Sequence, residues 1–180
     1  MKIIKQYCQK QIMQDMLLKK IRKNAQDNQK LTKITLSIGC KDANTNMNKL
    51  LTSIYLLTII SGQKSIPTKA RKSIANFKLR QGKLIGIKAT LRGNKLYTFL
   101  EKFIAIVLPQ MSTSKKIKYK NRRPTNQFNL GILDSMIFPE LENQYNFVKK
   151  KQGMNLTFHT KDTQLNKNKL FFSGLKLKSH

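Results

Sequence analysis

The chain has 180 residues, and its 36 Lys and Arg against 8 Asp and Glu give a formal charge of +28 and a pI near 10.4. That length suits one domain with tails, and that charge calls for a polyanion to offset self-repulsion, either nucleic acid or an anionic membrane surface. The apolar runs 54–60, broken by Thr58, and 103–108 fall far short of a ~20-residue membrane span, and Cys8 and Cys40, without CxxC spacing or a nearby histidine, indicate neither a disulfide framework nor a zinc site.

From the N-terminus, Ile12, Met13, Met16, Leu17 and Ile21 recur at helical spacing and predict an amphipathic helix within 1–30, lysines on its far side. The same stretch lacks Ser, has Arg22 as its one Arg and carries Asp15 and Asp27, so it makes a poor transit peptide. With Met1 at its head, no cleaved leader is expected. Residues 31–39 then alternate: Ile34, Leu36 and Ile38 turn inward, and Lys33, Thr35 and Ser37 outward, a strand ending at Gly39. Asn44 or Thr45 can cap a helix with Met47, Leu50, Leu51, Ile54 and Leu57 on one stripe, closed by Gly62.

Residues 61–93 carry nine Lys and Arg and no acid. Within them Leu84 to Arg92 alternates, with Ile85, Ile87, Ala89 and Leu91 on one side and Lys88, Thr90 and Arg92 on the other, a half-buried strand. The preceding 69–83 is too basic for a core and too apolar for a free linker. It reads as a long protruding loop that Ile74, Ala75, Phe77 and Leu79 anchor and that offers Arg71, Lys72, Lys78 and Arg80 to a polyanion. If the two strands are neighbours, Lys33, Thr35, Ser37, Lys88, Thr90 and Arg92 share a polar, basic sheet face suited to RNA backbone and 2′-hydroxyls.

Leu96, Phe99, Leu100, Phe103, Ile104 and Val107 make a further apolar helix, which Pro109 is expected to stop. Residues 110–127, with Lys115, Lys116, Lys118, Lys120, Arg122 and Arg123 and no acid, read as a mobile arm that orders on RNA. A strand through Phe128, Leu130 and Ile132 follows, then the turn-rich segment after it. The last strand, Met154 to Thr160, points Asn155, Thr157 and His159 outward, and a short helix from about Asp162 to Phe172 leads into a tail.

Catalysis of nucleic-acid cleavage needs clustered carboxylates or a nucleophile with its base. Here the acids are scattered, and none falls between Asp42 and Glu101. Glu140 and Glu142 sit together after a proline and are expected to satisfy a turn or neutralise lysines. His159 can stack on or hydrogen-bond RNA, though a lone outward histidine is more often an ordinary surface residue. Gly82, Gly86 and Gly93 form no phosphate-binding loop. The expectation is of no catalytic residue, no metal and no cofactor.

The strings SGQK (61–64), TKARKSIANFK (68–78) and LRQGKLIGIKATLRG (79–93), with FPE (138–140) and the strand after Gly153, closely resemble the fifth large-subunit ribosomal protein family, the 5S rRNA binder of the central protuberance. The resemblance spans roughly Leu31 to Asp162. It implies an α+β fold, a 5S rRNA face including Gln63, Thr90 and Arg92, with Ser37 where the family usually has Asn, and a loop, 70–82, that reaches the elbow of peptidyl-site tRNA. Residues 110–129 depart from the family's Arg-rich, Gly-containing pattern, which puts contacts there, including any across the intersubunit bridge, in question.

The reading is therefore a single α+β ribosomal-protein domain: an N-terminal helix over 1–30, a core over 31–162 with the arm 110–127, and a helix and tail over 163–180. Its sheet is expected to be twisted and mixed, mainly antiparallel, packed on helices. The function expected is that of a non-enzymatic constituent of a mitochondrial large ribosomal subunit, organelle-encoded given the bias toward Lys, Asn and Ile. Its partners are 5S rRNA or an equivalent, large-subunit rRNA, peptidyl-site tRNA, other large-subunit proteins and a small-subunit head protein. The rivals are a basic RNA-processing enzyme, such as an intron-encoded nuclease or maturase, and a free RNA chaperone.

Overall fold

Period-two burial builds the sheet. In β1 (Leu31–Gly39) Ile34, Leu36 and Ile38 are buried while Lys33, Thr35 and Ser37 are half-exposed, and in β3 (Leu84–Leu91) Ile87, Ala89 and Leu91 are buried while Lys88 is exposed. The alternation recurs in β5 (Gln127–Ile132) and β6 (Met154–Thr160), and short strands β2 (Ile66–Lys69) and β4 (Ile117–Tyr119) lie at the two edges. The six strands run in the order β2-β3-β1-β6-β5-β4. The computed structural model describes residues 2–19, 30–40, 43, 46–113, 117–119, 126–144, 152–161, 165–175 and 177.

The α+β architecture is as expected, with one difference in the sheet. Every strand pairing among the described residues is antiparallel, with no parallel partner of the kind a mixed sheet has. The reason lies in the crossover through α3 (Met47–Ser61), which returns β2 in the same direction as β1. β3 then inserts between them, so the two parallel strands never touch.

The apolar face carries helices α3 and α4 (Gly93–Lys102), with α3 closed by Gly62 in the left-handed region (φ 60°), where a Cβ is strained. Asn46 stands at the N-cap position of α3 without a side-chain capping bond, and Asn44 and Thr45 lie outside the described residues. A chain of rings runs through the core: Phe99 to Phe103 (6.0 Å between centroids), Phe103 to Phe158 (5.9 Å), Phe158 to Phe128 (6.1 Å) and Phe128 to Phe172 (4.9 Å). Each buried ring stabilises by about 1.5–3 kcal/mol, so this chain ties α4, the sheet and the C-terminal helix α6 (Leu165–Gly174) into one core. The N-terminal segment is helical as α1 (Lys2–Tyr7), a π turn (Cys8–Ile12) and α2 (Met13–Leu18), with Cys8, Ile12, Met13 and Met16 buried. Of the expected stripe, Ile21 lies outside the described residues.

One expectation about the middle of the chain is corrected. Pro109 does not stop the helix: α4 passes through a π turn (Phe103–Val107) into α5 (Leu108–Thr113). The wider turn, with Leu108 bonded back to Phe103, shifts the hydrogen-bond register just where the proline supplies no donor. Of the expected arm over 110–127, residues to Thr113 are helix and Ile117–Tyr119 pairs with Leu130–Ile132 as β4, while 114–116 and 120–125 lie outside the described residues. The open edge of β5 pairs Ile117–Tyr119, which a reading of charge overlooked.

Candidate nucleic-acid interface

Pairing brings the expected outward residues of β1 and β3 together. Thr35 stands opposite Thr90, and Ser37 opposite Lys88. On its other edge β1 pairs β6, setting Thr35 against Thr157, Ser37 against Asn155 and Lys33 against His159. β5 continues the rows with Asn129 beside Thr157 and Gln127 beside His159. One lateral row therefore reads Thr90, Thr35, Thr157, Asn129 across four strands, each a hydrogen-bonding side chain and none buried. Arg92 follows β3 in extended backbone (φ −141°, ψ 163°), which prolongs the alternation and keeps its exposed guanidinium in phase with Lys88 and Thr90.

Gln63 is placed differently from a free RNA-facing amide. Its Nε2 donates to the main-chain carbonyl of Thr90 at 2.9 Å, beyond the last residue of β3 that β2 pairs, so it caps a carbonyl that the edge strand is too short to reach. Ser61 accepts from the Gln63 main-chain N–H at 3.4 Å and donates to its carbonyl at 3.0 Å, fixing the turn after α3. Gly86, next to this edge, is a packing glycine: a Cβ there meets the Ile38 carbonyl oxygen at 2.8 Å and Thr68 Oγ1 at 3.0 Å.

His159 sits 3.5 Å from Thr35 Oγ1 through Nε2. Partial burial, and secondarily the Lys33 ammonium across the strands, hold its pKa below the usual histidine value. A neutral imidazole at neutral pH can offer a ring face and both a donor and an acceptor to RNA. The face carries its cations at Lys33, Lys88 and Arg92, with hydroxyls and amides between them.

The basic loop is framed by backbone hydrogen bonds, not by the apolar anchors the sequence suggested. Ala70 N–H donates to Lys83 at 2.8 Å, Gly82 N–H to Ala70 at 3.0 Å, and Ile74 and Leu79 exchange bonds of 2.9 and 3.1 Å. Ile74 and Phe77 are exposed instead of anchoring, because the loop has no core beneath it. Arg71, Lys72, Lys78 and Arg80 all lie along this small hairpin, none of them buried.

Two of the carboxylates take structural roles. Glu140 pairs with Lys102 at 2.7 Å, and Asp134 accepts from the Met136 N–H at 3.0 Å. Among the described residues no group of three His, Cys, Asp or Glu could hold a metal ion, and no helix is long and apolar enough to cross a membrane. Cys40 donates to Ser53 at 3.4 Å in a buried contact, and burial pushes the Cys8 thiol up to about 11.

Two family models cover most of the chain: "Ribosomal protein L5" matches residues 24–80, and the model of the same ribosomal family's C-terminus matches 84–178. The chain belongs to the ribosomal protein L5 family. The large ribosomal subunit protein uL5m of Reclinomonas americana is 39% identical over 131 residues, 73% of this chain and 72% of that one. The uL5 of Nitrosomonas europaea is 41% identical over the same length and the same shares, and that of Polynucleobacter asymbioticus 34% over 155 residues, 86% and 85% of the two chains. The L5 family is one of ribosomal structural proteins, which sets aside the nuclease and maturase rival. In this L5 chain the two matched segments meet at the foot of the basic loop, between Arg80 and Leu84, where Gly82 turns with φ 83°.

Sequence reasoning read Asn155 and Thr157 as outward but left them out of the candidate face, along with Gln127 and Asn129. Their signal was present in the alternation. What was missing was the neighbour of β1 on its second edge, which only long-range pairing supplies.

Proposed function

We propose that this L5-family chain is a structural constituent of the large ribosomal subunit that holds rRNA against the polar face of its sheet. The observation that carries the proposal is the acid-free row from Thr90 to Asn129, flanked by Lys33, Lys88 and Arg92 and left unburied by every described element. Hydroxyls and amides at strand spacing suit sugar and phosphate oxygens, and the cations supply the salt-sensitive attraction. The RNA proposed there is 5S rRNA or its equivalent at the central protuberance, with large-subunit rRNA beside it. Lys33, Ser37, Gln63, Lys88, Thr90 and Arg92 form the contact set, Gln63 through the part of its amide not bonded to Thr90.

Arg71, Lys72, Lys78 and Arg80 exceed what the sheet face needs and lie on a separate hairpin, which supports a contact of the loop with peptidyl-site tRNA. Other large-subunit proteins and a small-subunit head protein are the proposed protein neighbours. A mitochondrial ribosome, with the gene in the organelle, is favoured by the named mitochondrial relative and by the Lys, Asn and Ile bias of AT-rich coding, although bacterial relatives match equally well.

Sedimentation tests the reading. The protein is expected to co-migrate with large subunits through a high-salt gradient, and Lys88→Ala with Arg92→Ala to release a substantial fraction. Retention of the double variant at every salt concentration counts against the sheet face, and migration free of the subunit counts against a ribosomal role and favours a free chaperone.

A further inference from the structure

The most exposed large apolar side chain of the basic loop is aromatic. Phe77 is 75% exposed, with Ile74 beside it at 43%. Single exposed apolar residues are ordinary on protein surfaces. This one differs in how firmly it is presented. It closes a short 3-10 turn (Ala75–Phe77), Lys78 behind it takes the left-handed conformation (φ 49°), and the Lys78 N–H bonds back to Ala75 at 2.9 Å. Below the turn, Ile74 and Leu79 lock the two arms through reciprocal bonds, and the Gln81 N–H donates to Ser73 Oγ at 2.9 Å. A ring carried on such a frame is presented to a ligand at little further cost in backbone entropy.

Its surroundings select the ligand. Arg71, Lys72, Lys78 and Arg80 lie on the same hairpin, and the sequence has no acid between Asp42 and Glu101. A protein partner that buries the ring also has to neutralise these cations, whereas RNA brings phosphates for them and a flat base for the ring. Cations along the backbone and an aromatic side chain against a base are the two parts of a stacking platform.

We propose that Phe77 stacks on an unstacked nucleobase, or on the open face of a terminal base pair at an RNA bend, while the four cations hold the adjoining phosphates. The proposal rests on the reading of the loop as a contact for peptidyl-site tRNA. It assigns Phe77 the part of recognition that depends on RNA shape, and leaves the cations a contact that any phosphate backbone can satisfy.

Large subunits carrying variants of this chain, combined with small subunits and labelled deacylated tRNA, test it by tRNA dissociation constant at several salt concentrations. Phe77→Ala and Phe77→Leu are expected to weaken retention about five- to hundred-fold, and Phe77→Tyr to stay within about two-fold of the unaltered chain, since stacking needs the ring and not merely apolar bulk. The slope of affinity against salt stays unchanged in all three. In contrast, the quadruple Ala variant of Arg71, Lys72, Lys78 and Arg80 weakens retention and flattens the slope. If the quadruple variant behaves so while Phe77→Leu retains tRNA normally, stacking is wrong and the tRNA contact stands. If the quadruple variant and every Phe77 variant retain tRNA normally, the tRNA contact and the stacking fall together. Loss of the Phe77 variants from the subunit itself makes the ring a scaffold contact and also overturns the proposal.

Discussion

The side-chain amide of Gln63 donates to the main-chain carbonyl of Thr90 at 2.9 Å, joining the turn after α3 to the strand that carries Lys88 and Thr90. The turn after α3 and the polar row of the sheet thus share one bond. Gln63→Ala is expected to lower stability by about 0.5–1.5 kcal/mol, the net worth of such a bond. Urea unfolding checks this, and an unchanged midpoint contradicts the capping role.

Gly86 allows β3 to lie close to β1. Gly86→Ala places a methyl 2.8 Å from the Ile38 carbonyl oxygen, a backbone atom of a central strand that cannot step aside cheaply. Overpacking of this kind costs about 1–3 kcal/mol. The same substitution at Gly39, where a Cβ meets nothing within 4 Å, is expected to cost far less, and comparing the two melting curves isolates the clash.

His159 is expected to make stability depend on pH. Its pKa is lowered in the folded chain, first by partial burial and then by Lys33, so between that value and the unfolded 6.5 the unfolded chain binds more protons. Its contribution is fully present above pH 6.5 and is lost as pH falls through the folded value. His159→Gln should flatten this acid-side decline, measured as urea midpoint against pH. An equal slope in both proteins rules out His159 as the cause.

RNA affinity is expected to fall with salt, by about 0.7–0.9 in log affinity per neutralised phosphate for each tenfold rise. Lys88→Ala and Arg92→Ala should each lower the slope by about one phosphate, while Thr157→Ala lowers affinity at constant slope. Isothermal titration against 5S rRNA at several salt concentrations separates them. A slope unaffected by either cation removes it from the interface.

Cys8 and Cys40 are buried, and the Cys8 thiol is pushed up to about 11. At a pH of about 8 the native chain should therefore react slowly with a thiol reagent and rapidly only after denaturation. Fast labelling of Cys8 in the native state contradicts the packing of the N-terminal helix on the core.

Much of the fold was legible in the residues. Period-two alternation marked β1, β3, β5 and β6, a helical stripe marked α3, and Gly62 marked its end. These signals are local, because a residue's side of a strand is set by its neighbours two positions away. The same locality made Lys33, Thr35, Ser37, Lys88, Thr90 and Arg92 recognisable as outward residues of two strands.

Tertiary structure alone decided which strands meet. β6 lies beside β1 although more than a hundred residues separate Thr35 from Thr157, and that one pairing extends the polar face toward Asn129. It also decided that Ile117 to Tyr119 joins the sheet, that a π turn carries a helix past Pro109, and that Phe77 faces outward. None of these is visible in periodicity, because each depends on what a distant segment offers: an open strand edge, a carbonyl within reach, or a core too far away to cover a ring.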